Sequence, residues 1–301
     1  MADGTVILPA YLDEAGARGL ARNLTPERDH EFGLMCALVF EPDGHAKAVQ
    51  DFTPPFEAFR SAMPAGAKLH ITDAFRPGNE AWKAVAETVR EQYLRLIETA
   101  RPMVIYAARR LRLSRELHQG SATLQAQAKA ARRSSVQIAR ENRPSDARIE
   151  DELMLSLALR LDAFAEDIAA QVHDVKQVDL LFDEIDIAER YEATIQRTRE
   201  VSKNVTTVKG WDSTQSKRVE GTIAFQVSAP FRVDTKFIGG IHVVGKAHPL
   251  VLAADMVTNH LAHHLGQLSG DAPLNGPSSI KGWVLENRVW GVMENASEDA
   301  F

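Results

Sequence analysis

Five residues in this chain have the types and settings to do chemistry. Asp13 and Glu14 close the apolar run Thr5 to Gly16, Asp183 follows the apolar run Val178 to Phe182, and Asp255 sits among Ala254, Met256 and Val257. His70 ends the short run Ala67 to Ile71, with Asp73 three residues on. Carboxylate oxygens are the ligands that hard cations such as Mg²⁺ require. A carboxylate at the end of a packed strand is also held in a fixed position. Each of these residues has a plainer reading as well. Asp13 and Glu14 would solvate a turn, Asp183 or Asp186 would cap the next helix, and His70 would be satisfied by backbone while Asp73 caps.

The elements that must position these residues follow from periodicity. Val6, Ile7, Leu8, Tyr11 and Leu12 suit a buried strand too short for a helix, and the acids mark its end. Phe32 to Phe40 reads as a second strand, antiparallel to the first, and Glu41-Pro42-Asp43-Gly44 as a turn. Gln50 to Pro64 reads as a short helix, Ala67 to Ile71 as a third strand, Asn79 to Thr99 as a helix ended by Pro102, and Met103 to Ala108 as a fourth strand. Glu150 to Val172 is an amphipathic helix, followed by the strand Val178 to Phe182 and a helix from Ile187 to about Val201. Asn204 to Gly240 is β-rich, with strands over Gly221 to Val227 and Phe231 to Phe237. Ile241 to Val244 is a final strand that leads into a helix from Leu250 to about Leu268, which carries Asp255 and, one turn on, Asn259. An Asp on such an apolar helix must be paired, hydrogen-bonded or metal-bound. His260 and His264 on the same helix have a spacing that a transition metal accepts, but no Glu of a His-Glu-x-x-His motif accompanies them, and they read as an exposed histidine-rich face.

Composition narrows the setting. A chain of 301 residues, 45% hydrophobic, can bury a full core. No apolar run is long enough to cross a bilayer and no signal-peptide pattern opens the chain, so a cytoplasmic protein with no membrane partner is expected. Cys36, the only cysteine, reads as a core residue. The net charge of −6 hides an asymmetry, because Ala107 to Arg148 carries ten basic residues against three acidic ones. This segment, with Arg109, Arg110, Arg112, Arg132 and Arg133, has the clustered charge that binding phosphates requires. It reads equally as a solvated helix face. The expected organisation is one domain over 1–268, with a basic helical insertion at about 109–148 and a β-rich extension at about 204–240. A tail over 269–301 follows, in which Trp283, Val289 and Trp290 would dock onto the domain or form a homo-oligomer contact.

The motifs Leu12-Asp13-Glu14-Ala15-Gly16, Phe32 to Phe40, Leu69-His70-Ile71-Thr72-Asp73 and Ala253-Ala254-Asp255-Met256-Val257 together resemble a bacterial domain family of unknown function. That family is marked by Asp-Glu-Ser-Gly near its N-terminus and has a predicted ribonuclease H-like fold. The resemblance implies an α/β protein with a mixed central sheet flanked by helices. It further implies a nuclease in which Asp13, Asp183 and Asp255 hold two Mg²⁺ or Mn²⁺ ions for phosphodiester hydrolysis of RNA or DNA. Glu14 would be a fourth ligand or a base, His70 would orient a water or touch the scissile phosphate, and the setting would be phage defence or a mobile element. Ala15 stands where the family has Ser, and Leu252-Ala253 precedes Ala254-Asp255 where a Gln is usual. These departures support the alternative of a noncatalytic module that binds nucleic acid or protein. No Gly-x-Ser-x-Gly elbow supports a serine hydrolase.

Overall fold

The structure, a computed structural model, describes residues 5–131, 136–139, 148–171, 174–183, 188–202, 205–212, 214–224, 235–245, 247–270, 272, 274, 279–280, 283–284 and 289–290. Strand β1 (Thr5–Gly16) runs antiparallel to β2 (Phe32–Val39), as the two apolar runs predict. Helix α1 (Pro42–Ser61) and helix α2 (Glu80–Ala100) follow, then strand β3 (Met103–Arg110), antiparallel to β2. Next come α3 (Leu111–Ala131), β4 (Val136–Ala139) and α4 (Ile149–Gln171). Strand β5 (Asp174–Phe182) lies parallel to β1 on its other side and leads to α5 (Ala188–Ser202). The hairpin β6 (Val205–Asp212) and β7 (Lys217–Ala224) joins β4 in a separate three-stranded sheet. Strand β8 (Ile238–Val243) is parallel to β5, and α6 (Pro249–Gly266) follows it. The short strands β9 (Ser279–Ile280), β10 (Trp283–Val284) and β11 (Val289–Trp290) complete the set. Strand β11 pairs with β3 of the same chain, which gives the main sheet the order β11-β3-β2-β1-β5-β8. The protein is thus an α/β fold with a mixed sheet flanked by helices. Among the described residues, no helix is long and apolar enough to cross a membrane.

β1 is apolar on both sides because both faces of the sheet are covered. Leu8, Ala10 and Leu12 join Met35, Ala37, Ile105, Val178, Leu180 and Phe182 in a core with Leu153, Leu157, Leu161 and Phe164 of α4. Tyr11 joins Leu34, Cys36, Leu38 and Tyr106 in the opposite core, roofed by α1, α2 and α6. Parity along β1 therefore decides which core a side chain enters.

Several local expectations are corrected. β1 does not stop at its acids, since Asp13 pairs with Cys36 and Glu14 with Met35, and the ladder runs on to Gly16. Gly16 has φ +80, and a Cβ there would collide with the Phe32 carbonyl. Pro42 begins a helix rather than a turn, because at the first helical position its missing N–H costs nothing. α1 runs on through Pro54 and Pro55, held by the buried rings of Phe52, Phe56 and Phe59. Ala67 to Ile71 is not a strand, and a 3₁₀ turn over Ile71–Phe75 takes its place. The Ile71 N–H that a ladder would use goes to the Asp255 carboxylate instead. The predicted strand Phe231 to Phe237 falls largely outside the described residues, and its last two positions form a turn into β8.

Candidate acid cleft

Asp13, Asp183 and Asp255 line one small cleft together with Leu69, His70, Val251 and Leu252. Two of the acids arrive through register. β1 and β5 are parallel and their last matched residues are Leu12 and Phe182, so Asp13, still within β1, and Asp183, just past the end of β5, are the next residue in each case. The alternation of each strand turns both toward the core of Tyr11 and α6. Asp255 comes from α6, which packs across β1 and β2.

Asp255 is 6% exposed, and each of its oxygens is engaged. Oδ2 accepts the Ile71 N–H at 3.0 Å, while Oδ1 accepts Asn259 Nδ2 at 2.5 Å and lies 3.2 Å from His70 Nε2. The pairing with Asn259 was legible as an i, i+4 spacing, whereas the Ile71 contact required the fold. His70 caps the 3₁₀ turn, its Nδ1 accepting from the Thr72 N–H at 3.3 Å and lying 2.8 Å from the Thr72 hydroxyl. With Nδ1 an acceptor, the neutral ring carries its proton on Nε2 and donates it to Asp255. His70 thus positions an acid. Asp73, expected as a cap, pairs with Arg76 at 2.8 Å.

The Asp13 carboxyl titrates well above the usual carboxylate range. Burial is the largest cause, followed by the negative charges of Asp255, Glu14 and Asp183, with a hydrogen bond from the Glu14 backbone partly offsetting them. Glu14 adds charge, but the pleat turns its side chain to the α4 face, and it pairs with Arg18 at 2.9 Å.

The predicted basic contacts are only partly among the described residues. Arg109 and Arg110 belong to β3 rather than to an insertion. Arg109 faces α4, its Nε 3.5 Å from Glu152. Arg110 is 6% exposed and donates to the carbonyls of His30, Ser269 and Ala272. A guanidinium that donates to three carbonyls ties these loops to β3. Arg112 is half-buried near Asp29, and Arg132 and Arg133 lie outside the described residues, as do Glu184 and Asp186.

Sequence reasoning missed a hydrogen-bonded cluster two residues before Asp13. The Tyr11 hydroxyl is 2.8 Å from His45 Nε2 and 3.4 Å from His248 Nε2, with both imidazoles stacked near the phenol ring. His248 Nδ1 accepts the Leu250 N–H as the cap of α6. The available signal was parity, since Tyr11 and Asp13 share one side of β1. His260, read as exposed, is half-buried, its Nδ1 2.7 Å from the Met256 carbonyl.

Among the described residues, no group of three or more His, Cys, Asp or Glu side chains converges closely enough to hold a metal ion. No family model, no curated protein and no solved structure matches this chain.

Proposed function

We propose that the chain is a divalent-cation-dependent phosphodiester hydrolase with a ribonuclease H-like sheet, acting on nucleic acid. The observation that carries this reading is that Asp13 of β1, Asp183 just after β5 and Asp255 of α6 line a single cleft, where burial and then the neighbouring charges disfavour the Asp13 carboxylate. The sheet is compatible with it, since the antiparallel run β3-β2-β1 is continued by the parallel strands β5 and β8 in one mixed sheet.

A hard cation suits the chemistry of the donor set, which is all carboxylate oxygen. Asp13, Asp183 and Asp255 would hold Mg²⁺ or Mn²⁺. When bound, such ions supply an activated water and stabilise the leaving oxygen. The chain's own contribution is positional. Asp13 sits within a paired strand and Asp183 directly after one, while Ile71, Asn259 and His70 fix the carboxylate plane of Asp255. The substrate class is the expectation drawn from the sequence alone, where clustered positive charge between Ala107 and Arg148 suits phosphate binding.

A second reading, a noncatalytic binding module, draws on the engagement of both Asp255 oxygens and on the acids' not closing around an ion. The two separate in one experiment. Labelled RNA and DNA, single- and double-stranded, are incubated with Mg²⁺, Mn²⁺ or EDTA and either wild type, Asp13→Asn or Asp255→Asn. Metal-dependent cutting lost in both variants supports the hydrolase. Intact substrate throughout, with no heat of Mn²⁺ binding by calorimetry, leaves the binding module.

A further inference from the structure

The sheet face that carries Asp13 and Asp183 continues past the cleft. On β5, alternation puts Gln177, Asp179, Leu181 and Asp183 on one side, and the register sets the first three beside Ile7, Pro9 and Tyr11 of β1. On β8, His242 stands opposite Leu181. Helix α6 lies on this side over β1 and β2, while α4 and α5 pack against β5 and β8 from the other. The outer part of the face stays in solvent, with Ile7 47% exposed and the His242 side chain 51% exposed.

Within that face, three groups surround the Asp179 carboxylate. Gln177 Nε2 donates to Oδ1 at 2.8 Å and the Gly240 N–H at 3.4 Å, while Oδ2 lies 3.6 Å from His242 Nε2. Asp179 is only 20% exposed, so it is fixed before the histidine is considered. Two glycines make room for the arrangement. A Cβ on Gly240 would stand 2.7 Å from His242 Nε2, and one on Gly239 would collide with Asp179 Oδ1. The imidazole therefore lies against the Gly240 backbone with Nε2 toward the Asp179 carboxylate, and half of the side chain is exposed.

We propose that His242, held by Asp179, is a phosphate contact for the nucleic-acid strand that the acid cleft cuts. The inference rests on the hydrolase reading and adds a binding position to it. When both ring nitrogens carry a proton, an imidazole with a carboxylate near Nε2 can still donate its other N–H to an anion. The site is continuous with the cleft. His242 stands opposite Leu181, one side-chain step or about 7 Å along the strand before Asp183. That offset suits a phosphate flanking the scissile one. Such a contact sets the register of the strand over the acids and reads no base.

The test is fluorescence anisotropy with short labelled single-stranded RNA and DNA, in Ca²⁺ and across a salt series, for wild type, His242→Ala and Asp179→Asn. His242→Ala is expected to weaken binding of both strands about five- to tenfold and to reduce the slope of log affinity against log salt by about 0.7, the share of one phosphate on a single strand. Asp179→Asn is expected to move both in the same direction by less. Mn²⁺ affinity by calorimetry and the melting temperature should stay at wild-type values in both variants, which excludes misfolding and damage to the acid cleft. Wild-type affinity and salt slope in His242→Ala would overturn the phosphate contact while leaving the hydrolase intact. A wild-type protein that binds neither strand and cuts neither would overturn both.

Discussion

His70 Nε2 lies 3.2 Å from Asp255 Oδ1, and the same ring takes the Thr72 N–H on its other nitrogen. The ring is a brace between a 3₁₀ turn and a buried helix acid. Groups that orient a ligand typically change metal affinity by ten- to a hundredfold when removed. We expect His70→Ala to weaken Mn²⁺ binding by about tenfold without abolishing it, as read by calorimetry. Unchanged affinity would show that Ile71 and Asn259 orient Asp255 by themselves.

Asp13 is costly as an anion in the cation-free protein. Its folded pKa is raised, so it contributes most below the usual carboxylate range and that contribution is lost as pH rises through the folded value. Asp13→Asn removes the charge with little change in shape. We expect it to raise the melting temperature in EDTA by about 2 °C and to abolish the further rise that the hydrolase reading expects of the wild type with Mn²⁺. A lower melting temperature in EDTA would mean that the carboxylate is stabilised by contacts its neighbours' charges do not outweigh.

The cluster on Tyr11 has the opposite pH sense. His45 and His248 are both lowered, chiefly by burial and for His248 also by the charge of His45. Below about pH 6.5, the ordinary histidine value, the unfolded chain takes up protons that the folded cluster resists. Stability is therefore fully present above that value and falls as pH drops through the window between it and the folded values. The urea midpoint of an Asp13→Asn background should fall between pH 7.5 and pH 5.5, settings spanning that window, and a His45→Gln, His248→Gln double variant should flatten the fall. An equally steep fall in the double variant would place the titration elsewhere.

Arg110 anchors three carbonyls from two separate loops. Loss of charged hydrogen bonds from a buried site should make Arg110→Ala about 3 kcal/mol less stable in urea unfolding. Lys should not rescue it, because a point charge cannot reach three acceptors that a planar fork spans. Nucleic-acid affinity at a temperature where the variant is folded should match wild type. A selective loss of affinity would return Arg110 to the substrate site.

The chain itself, read residue by residue, determined the elements whose local signal agrees with their burial. β1, β2, α2, β3, α4 and α6 are apolar runs or periodic stripes bounded by Pro, Gly or acids, and each lies where its pattern puts it. The acids were visible for the same reason, because a carboxylate within or beside a buried apolar run is a local anomaly. What tertiary structure decided was sidedness and partnership. Asp13 and Glu14 are neighbours in sequence, yet the pleat and the two cores send them to opposite faces. Ala67 to Ile71 has strand residues, but its N–H found a carboxylate from a helix 184 positions away before it found a ladder. Arg109 and Arg110 look alike in a basic run and are used for different ion pairs and loop anchors. Local pattern sets which residues are buried, because burial depends on composition over a few positions. Which groups then meet depends on register and on chain-distant elements packing over one another, and no short window of sequence contains that information.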